Sequence, residues 1–131
     1  MAGKRGQRPT QPRTPPERFE PGFIANTDMR FALPKLLRAK LHALVTDLGG
    51  ADALSYMERV LCERLIHTEW QMGVWEALAR DGQPIDHARY LHAVNALNGL
   101  VRSLGLKRRA KPVPTLQEFL AAHTDEEEPG E

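Results

Sequence analysis

The sequence has little of what exported and membrane proteins need. Cys62 is the only cysteine in 131 residues, so a single chain forms neither an internal disulfide nor a cluster of thiolate metal ligands. No apolar run approaches the roughly 18 residues of a membrane span, and the basic, proline-bearing start has no apolar stretch of a signal peptide behind it. We therefore expect a cytoplasmic protein with no membrane partner.

Motifs for catalysis or cofactor binding are also missing. His87 and His92 are five residues apart and would face different ways on a helix, while Glu63 and His67 form one possible pair without a third ligand. Cys62 would need a histidine close in space to act as a nucleophile, and a buried thiol is the simpler interpretation. The first glycines follow no strand, so no phosphate-binding loop is present. We predict no enzyme, catalytic residue, metal, cofactor or small-molecule substrate.

Leucine spacing and helix-end signals predict three long helices. The first spans about residues 34–48 and stops at a glycine pair. Ser55 and Glu58 match a capping box that opens a second helix of about 25 residues. Asp86 can cap a third helix, with apolar residues four and three apart, that ends at Gly105. The second and third helices should fold back on each other as a long antiparallel hairpin.

Two polar segments flank the helices. Residues 1–22 have almost nothing to bury and many prolines, which predicts a disordered basic arm. Residues 23–106 form the predicted helical core domain. Residues 107–131 hold a basic linker, a short helix opened by a second capping box at Thr115 and Glu118, and an acidic tail. The predicted fold is all-α: a first helix plus the hairpin, flanked by the arm and the tail, and oligomeric.

The net charge of +1 conceals a strong segregation of charge. The arm and the segment 107–111 are basic, whereas residues 125–131 are acidic. The negative end of the third helix would account for one or two of the cations after Gly105, but not for all of them. The cations that the helix end does not explain indicate contact with nucleic-acid phosphates. The alternative is that these cations are simply solvated or take part in self-association. The predicted nucleic-acid-binding residues are Lys4, Arg5, Arg8, Arg13, Lys107, Arg108, Arg109 and Lys111.

The second helix has more apolar surface than one stripe requires, which suggests packing on two sides. We predict that Ile66, Trp70, Val74 and Trp75 form an oligomer interface. The two tryptophans could instead stack on bases, but aromatic residues at helical spacing among aliphatic ones more often pack. Helix three entering a major groove could place asparagines on adenine edges, although a structural use is simpler.

The order of these features resembles one family. A basic proline-rich arm precedes "PKLLRAKLHALVTDLGG", a long helix breaks at "ARDGQPID", and "NALNGLVRSLGLKRRA" follows. This layout is similar to the small terminase subunits of tailed phages and prophages, over roughly residues 34–113. Many members have a Thr-Pro or similar turn where this chain has Lys107 and Arg108.

The resemblance implies a DNA-packaging factor in the cytoplasm of a bacterial host cell. Such a protein forms a homo-oligomeric ring, recognises double-stranded viral DNA and presents it to a large terminase subunit with ATPase and nuclease activity. One rival interpretation is a helical adaptor or regulator that binds only protein. Another is a dimeric helix-turn-helix repressor, although the second and third helices look too long for that unit. The acidic tail could shield the basic cluster or dock on a partner.

Overall fold

The computed structural model describes residues 10–105, 107, 109 and 115–124. They form four α-helices: α1 (Ala32–Asp47), α2 (Tyr56–Arg80), α3 (His87–Leu104) and α4 (Leu116–Thr124). A single 3-10 turn, Ala51–Ala53, joins α1 to α2, and this part of the chain contains no β-strand. The prediction of a helical fold with three long helices is confirmed.

The helix-start signals act as predicted. Ser55 Oγ accepts the N–H of Glu58 at 3.1 Å, and Glu58 Oε1 accepts the N–H of Ser55 at 3.1 Å. The pair Thr115 and Glu118 repeats this exchange at the start of α4. Asp86 caps α3 by accepting a first-turn N–H at 3.1 Å. Each cap satisfies N–H groups that have no acceptor inside the helix.

The first helix begins earlier than the sequence pattern indicated. α1 starts at Ala32, two residues before Pro34. A proline is tolerated there because the first four N–H groups of a helix have no intrahelical acceptor, so its missing donor costs no bond. The helix ends before Gly49 and Gly50, whose φ angles of 105° and 97° suit residues without a Cβ.

α2 is the helix against which both α1 and α3 pack. Lys40 of α1 and Glu69 of α2 form an ion pair of 2.9 Å. Nearer the C-terminal end of α2, Trp75 meets Tyr90 of α3 with ring centroids 6.3 Å apart. Because Tyr90 lies early in α3 and Trp75 late in α2, the two helices run antiparallel, as predicted for the hairpin.

The core lies where α2 begins and α3 ends. Its buried residues are Phe23, Ile24, Leu37, Leu48, Leu54, Cys62, Leu65, Ile66 and Leu104. No residue between positions 68 and 103 is fully buried. The distal half of the hairpin, residues 68–97, therefore holds only half-buried and exposed residues, of which Trp70 and Leu97 pack against the core.

Residues 10–22 differ from the predicted disordered arm, since they pack on α2. Pro15 is buried, and the carbonyl of Pro16 lies 2.7 Å from Nε2 of the buried His67. The ring of Phe19 meets that of His67 edge-on at 5.9 Å. Composition indicated disorder, yet the prolines and one phenylalanine supply enough apolar surface to cover this histidine. Residues 1–9 and the predicted acidic tail, 125–131, lie outside the described residues.

Candidate nucleic-acid and self-association surfaces

Arg109 ties three helices together at the base of the hairpin. Its backbone N–H donates to the carbonyl of Asp47, the last residue of α1, at 2.6 Å. Its guanidinium donates to the carbonyl of Leu104, the last residue of α3, and to Glu58 Oε2 in the first turn of α2 at 2.9 Å. The structure thus gives this predicted phosphate ligand a structural role, with its side chain directed at the protein.

Glu58 remains a carboxylate in this arrangement. The backbone N–H of Ser55, followed by the guanidinium of Arg109, holds the pKa of Glu58 below its ordinary value of 4.5. Its negative charge is therefore engaged by the capping box and by Arg109. Arg109 in turn contributes little free positive charge to the surface.

Three other cations remain exposed near this point, and we call them the hairpin base: Arg59, Arg102 and Lys107. Arg59 lies in the first turn of α2 and Arg102 in the last turn of α3, which the antiparallel packing brings to the same end. Among the described residues, none of the three has an ion-pair partner. Arg108 and Lys111, which belong to the predicted site, lie outside the described residues.

The predicted arm cation Arg13 lies at the other end of α1. Its guanidinium carbon is 4.1 Å from the ring centroid of Phe31, the residue that precedes α1. The carbonyl of Pro12 accepts the N–H of Asp28 at 2.8 Å, which anchors the chain at this point. Lys4, Arg5 and Arg8 precede the described residues.

Asp28 offers little free negative charge to this region. Its carboxylate accepts hydrogen bonds from Arg30, with a closest distance of 2.7 Å, and its side chain is only 8% exposed. The Arg30 side chain and then the Arg30 backbone N–H lower the pKa of Asp28 from 3.8 to about 2. Arg30 itself is 81% exposed.

Arg13 and Arg109, one described residue from each predicted basic cluster, therefore contact opposite ends of one helix. Arg13 lies beside the start of α1, and Arg109, two residues after Lys107, bonds to its last residue. With 16 residues, α1 separates these points by about 24 Å at 1.5 Å per residue. This spacing could not be predicted from the sequence, because the contacts that establish it join distant parts of the chain.

The predicted oligomer interface separates into core and surface residues. Ile66 is only 3% exposed and belongs to the core, so it is not available to a partner in this fold. Trp70 is half-buried and packs on His67, with ring centroids 5.6 Å apart. Trp75 is also half-buried, against Tyr90. Val74, in contrast, is 40% exposed.

Sequence reasoning missed two further apolar side chains on the distal half of the hairpin. Leu78 of α2 is 40% exposed, and Leu91 of α3 is 61% exposed. Leu91 lies one position after Tyr90, which packs on Trp75 of α2, and a leucine directly beside a packed residue was the available signal. Val74, which lies four residues before Leu78 on α2, also lines a groove with Leu33 and Leu36 of α1.

The thiol of Cys62 lies in the core of the fold. Cys62 is fully buried, and burial is the main cause that raises the pKa of its thiol, which disfavours the nucleophilic thiolate. Within the described ranges, no group of three or more histidine, cysteine, aspartate or glutamate residues could hold a metal ion. In the same residues, no helix combines the length and apolar character needed to cross a membrane.

Comparisons with family models, curated proteins and solved structures yield no match for this chain. The resemblance to small terminase subunits therefore rests on the layout of the sequence.

Proposed function

We propose that this protein is a non-enzymatic, self-associating DNA-binding protein that serves in viral DNA packaging, as the small terminase subunits do. In this role it binds double-stranded DNA and presents it to a large subunit with ATPase and nuclease activity. The observation that carries the proposal is the attachment of both predicted basic clusters to the ends of α1.

The anchoring of the clusters supports backbone binding. Arg13 and Arg109 make defined contacts with the helical body, so each cluster starts from a fixed point. Lys107 stays exposed beside one of these points. Cations held in place lose less conformational entropy on binding than cations on a free chain, and phosphates attract them without regard to base sequence.

Self-association fits the same role. Val74, Leu78 and Leu91 place exposed apolar side chains on the distal half of the hairpin, and Val74 lines a groove with Leu33 and Leu36 of α1. Packing between copies through these side chains would leave the exposed cations of the hairpin base open to DNA. Several weak sites in one assembly then bind with greater avidity than a single site.

A salt titration of duplex-DNA binding tests the proposal. The test variant changes Lys107, Arg108 and Lys111 to glutamine and leaves Arg109 in place, because its loss would disturb the helix ends. A control variant with K40Q, R80Q and R89Q removes three positive charges elsewhere. The slope of log affinity against log salt should flatten by up to about 2.7 in the test variant, since each lost phosphate contact contributes about 0.9.

An equal response of the two variants would contradict DNA binding by Lys107, Arg108 and Lys111. The packaging role has a separate test, which is the identity of the flanking genes. Neighbouring genes for a large terminase subunit and a portal protein would support it, and a gene context without them would count against it.

A protein-only adaptor is the second candidate function. It is favoured by the exposed leucines, of which Leu116 on α4 and Leu91 on α3 are 73% and 61% exposed. The adaptor function predicts that the parent protein binds no duplex DNA even at low salt. Measurable, salt-sensitive DNA binding by the parent would exclude it.

A further inference from the structure

We infer that the outer face of α1 is itself a contact for the DNA backbone, and that it joins the two basic clusters into one continuous track. Lys35 and Arg38 are its central residues. This inference rests on the proposed function, because it assigns a further site for the same ligand.

The charged side chains of α1 before its last residue are all basic. No acidic residue occurs between Asp28 and Asp47, and Asp28 is held by Arg30. The first turn of α1 likewise carries no acidic residue. This part of the chain therefore presents positive charge without the interspersed acids that a solvated helix usually carries.

The cations of this helix share a face. Lys35, Arg38 and His42 are three and four residues apart, which places them in one row on an α-helix. All three are exposed, and within the described structure neither Lys35 nor Arg38 has an ion-pair partner. Glu63 lines the same groove as Arg38, but its Oε2 already accepts the N–H of Gly22 at 2.6 Å.

Lys40, on the same helix, differs from Lys35 and Arg38 because its charge is paired with a carboxylate. Its ammonium lies 2.9 Å from Glu69 of α2, so it belongs to the side of α1 that packs on the protein. Among the residues that the structure describes, Lys35 and Arg38 have no such acidic partner. The difference between the two sides provides an internal control.

Lys35 and Arg38 lie between the two groups of cations at the ends of α1. Arg13 lies at the start of α1 and the hairpin base lies near its end. A track of about 24 Å runs beside roughly seven phosphates of one strand, given 3.4 Å of helix axis per phosphate in each strand. Lys35 and Arg38 would fill the interval between the clusters with positive charge. Such contacts position the duplex and carry no base preference.

The test compares two variants that each lose two positive charges. One carries K35Q and R38Q on the exposed row, and the control carries K40Q and R80Q. Both are titrated with salt against a 20-base-pair duplex, beside the parent and the variant that changes Lys107, Arg108 and Lys111 to glutamine. We expect the K35Q/R38Q slope to flatten by up to about 1.8, with up to about 60-fold weaker binding at 0.1 M salt, and the control to change much less.

A charge-preserving variant, K35R with R38K, should keep the parental slope, and its failure to do so would overturn the inference. The inference also falls if the parent binds duplex DNA and the K35Q/R38Q variant matches the control, an outcome that leaves the proposed function intact. If the parent does not bind DNA, both fall. Binding to anionic phospholipid vesicles in place of the duplex would likewise overturn the DNA track.

Discussion

Arg109 and Glu58, 51 positions apart in the chain, form an ion pair of 2.9 Å at the base of the hairpin. The same arginine bonds to the last carbonyls of α1 and α3. One residue of the predicted basic cluster therefore holds the ends of three helices together. Its neighbour Lys107 is exposed, so two cations in the same short segment have different roles.

Replacing Arg109 should lower stability more than replacing Lys107. Arg109→Gln removes the partner of Glu58 and a donor to the carbonyl of Leu104, whereas Lys107→Gln removes an exposed side chain without an ion-pair partner among the described residues. We expect R109Q to lower the Tm by a few degrees and K107Q to leave it within error, as measured by circular dichroism. Equal Tm values for the two variants would contradict the structural role of Arg109.

Acid should remove a contribution of Asp28 to stability. Its pKa is about 2 in the folded protein, against an ordinary value of 3.8, because Arg30 favours the charged form. A lowered pKa stabilises the fold fully above pH 3.8, and this stabilisation is lost as the pH falls through about 2. Asp28→Asn should therefore be less stable than the parent at neutral pH, with a difference that shrinks between pH 4 and 2.

Urea unfolding midpoints measured at several pH values test the role of Asp28. Asp52→Asn is a suitable control, because Asp52 is an exposed carboxylate outside this contact. A pH profile of D28N that runs parallel to that of the parent would show that the Arg30 contact does not stabilise the fold.

Charges on the distal half of the hairpin should prevent self-association. We expect L78E with L91E to give a monomer in light scattering, with helix content retained, because both side chains are exposed. Met57→Glu is the matched control, since Met57 is 59% exposed but lies at the start of α2. If the parent is already monomeric at all concentrations, or if M57E acts as strongly, the distal surface is not the interface.

Ile66 should behave as a core residue in the same experiments. Ile66→Ala is expected to cost about 2–5 kcal/mol of the free energy of unfolding, the usual range for truncating a buried aliphatic side chain. It should not weaken association in molecules that remain folded. If I66A has unchanged stability but weakened association, Ile66 belongs to the oligomer interface, as the sequence predicted.

Truncation separates the two parts of the basic arm. A variant without residues 1–9 loses none of the contacts that the structure describes. A variant without residues 1–22 loses Pro15, Phe19 and the carbonyl acceptor of His67. We expect thermal melting to show parental stability for the first variant and a clearly lower Tm for the second. Equal melting would support the original prediction that the whole arm is disordered.

Much of the fold was predictable because its determinants are local. The exchange between Ser55 and Glu58 spans three residues, and so do the cap at Asp86 and the second box at Thr115. Each of these signals involves residues only three positions apart, so helix ends can be inferred without knowing the tertiary structure. The one shifted start, at Ala32, reflects how readily a first turn accepts a proline.

The candidate site was predictable only in part, because charge and apolarity do not reveal which side chains the fold covers. Ile66 and Val74 are both apolar residues of α2, yet the first is 3% and the second 40% exposed. The difference arises because Ile66 belongs to the buried core, whereas Val74 lines an open groove between α1 and α2. Similarly, Lys35 is exposed whereas Lys40 pairs with Glu69, a distinction that depends on where α1 packs.

The sequence by itself determined the helical class, the positions of the long helices and the segregation of charge, since all three follow from short-range patterns along the chain. Only the tertiary structure decided that Arg109 pairs with Glu58, that Pro16 meets His67, and that the two basic clusters lie at opposite ends of α1. The first two contacts each join residues 51 positions apart. Contacts of this range depend on how complete helices pack, and no local pattern encodes that packing.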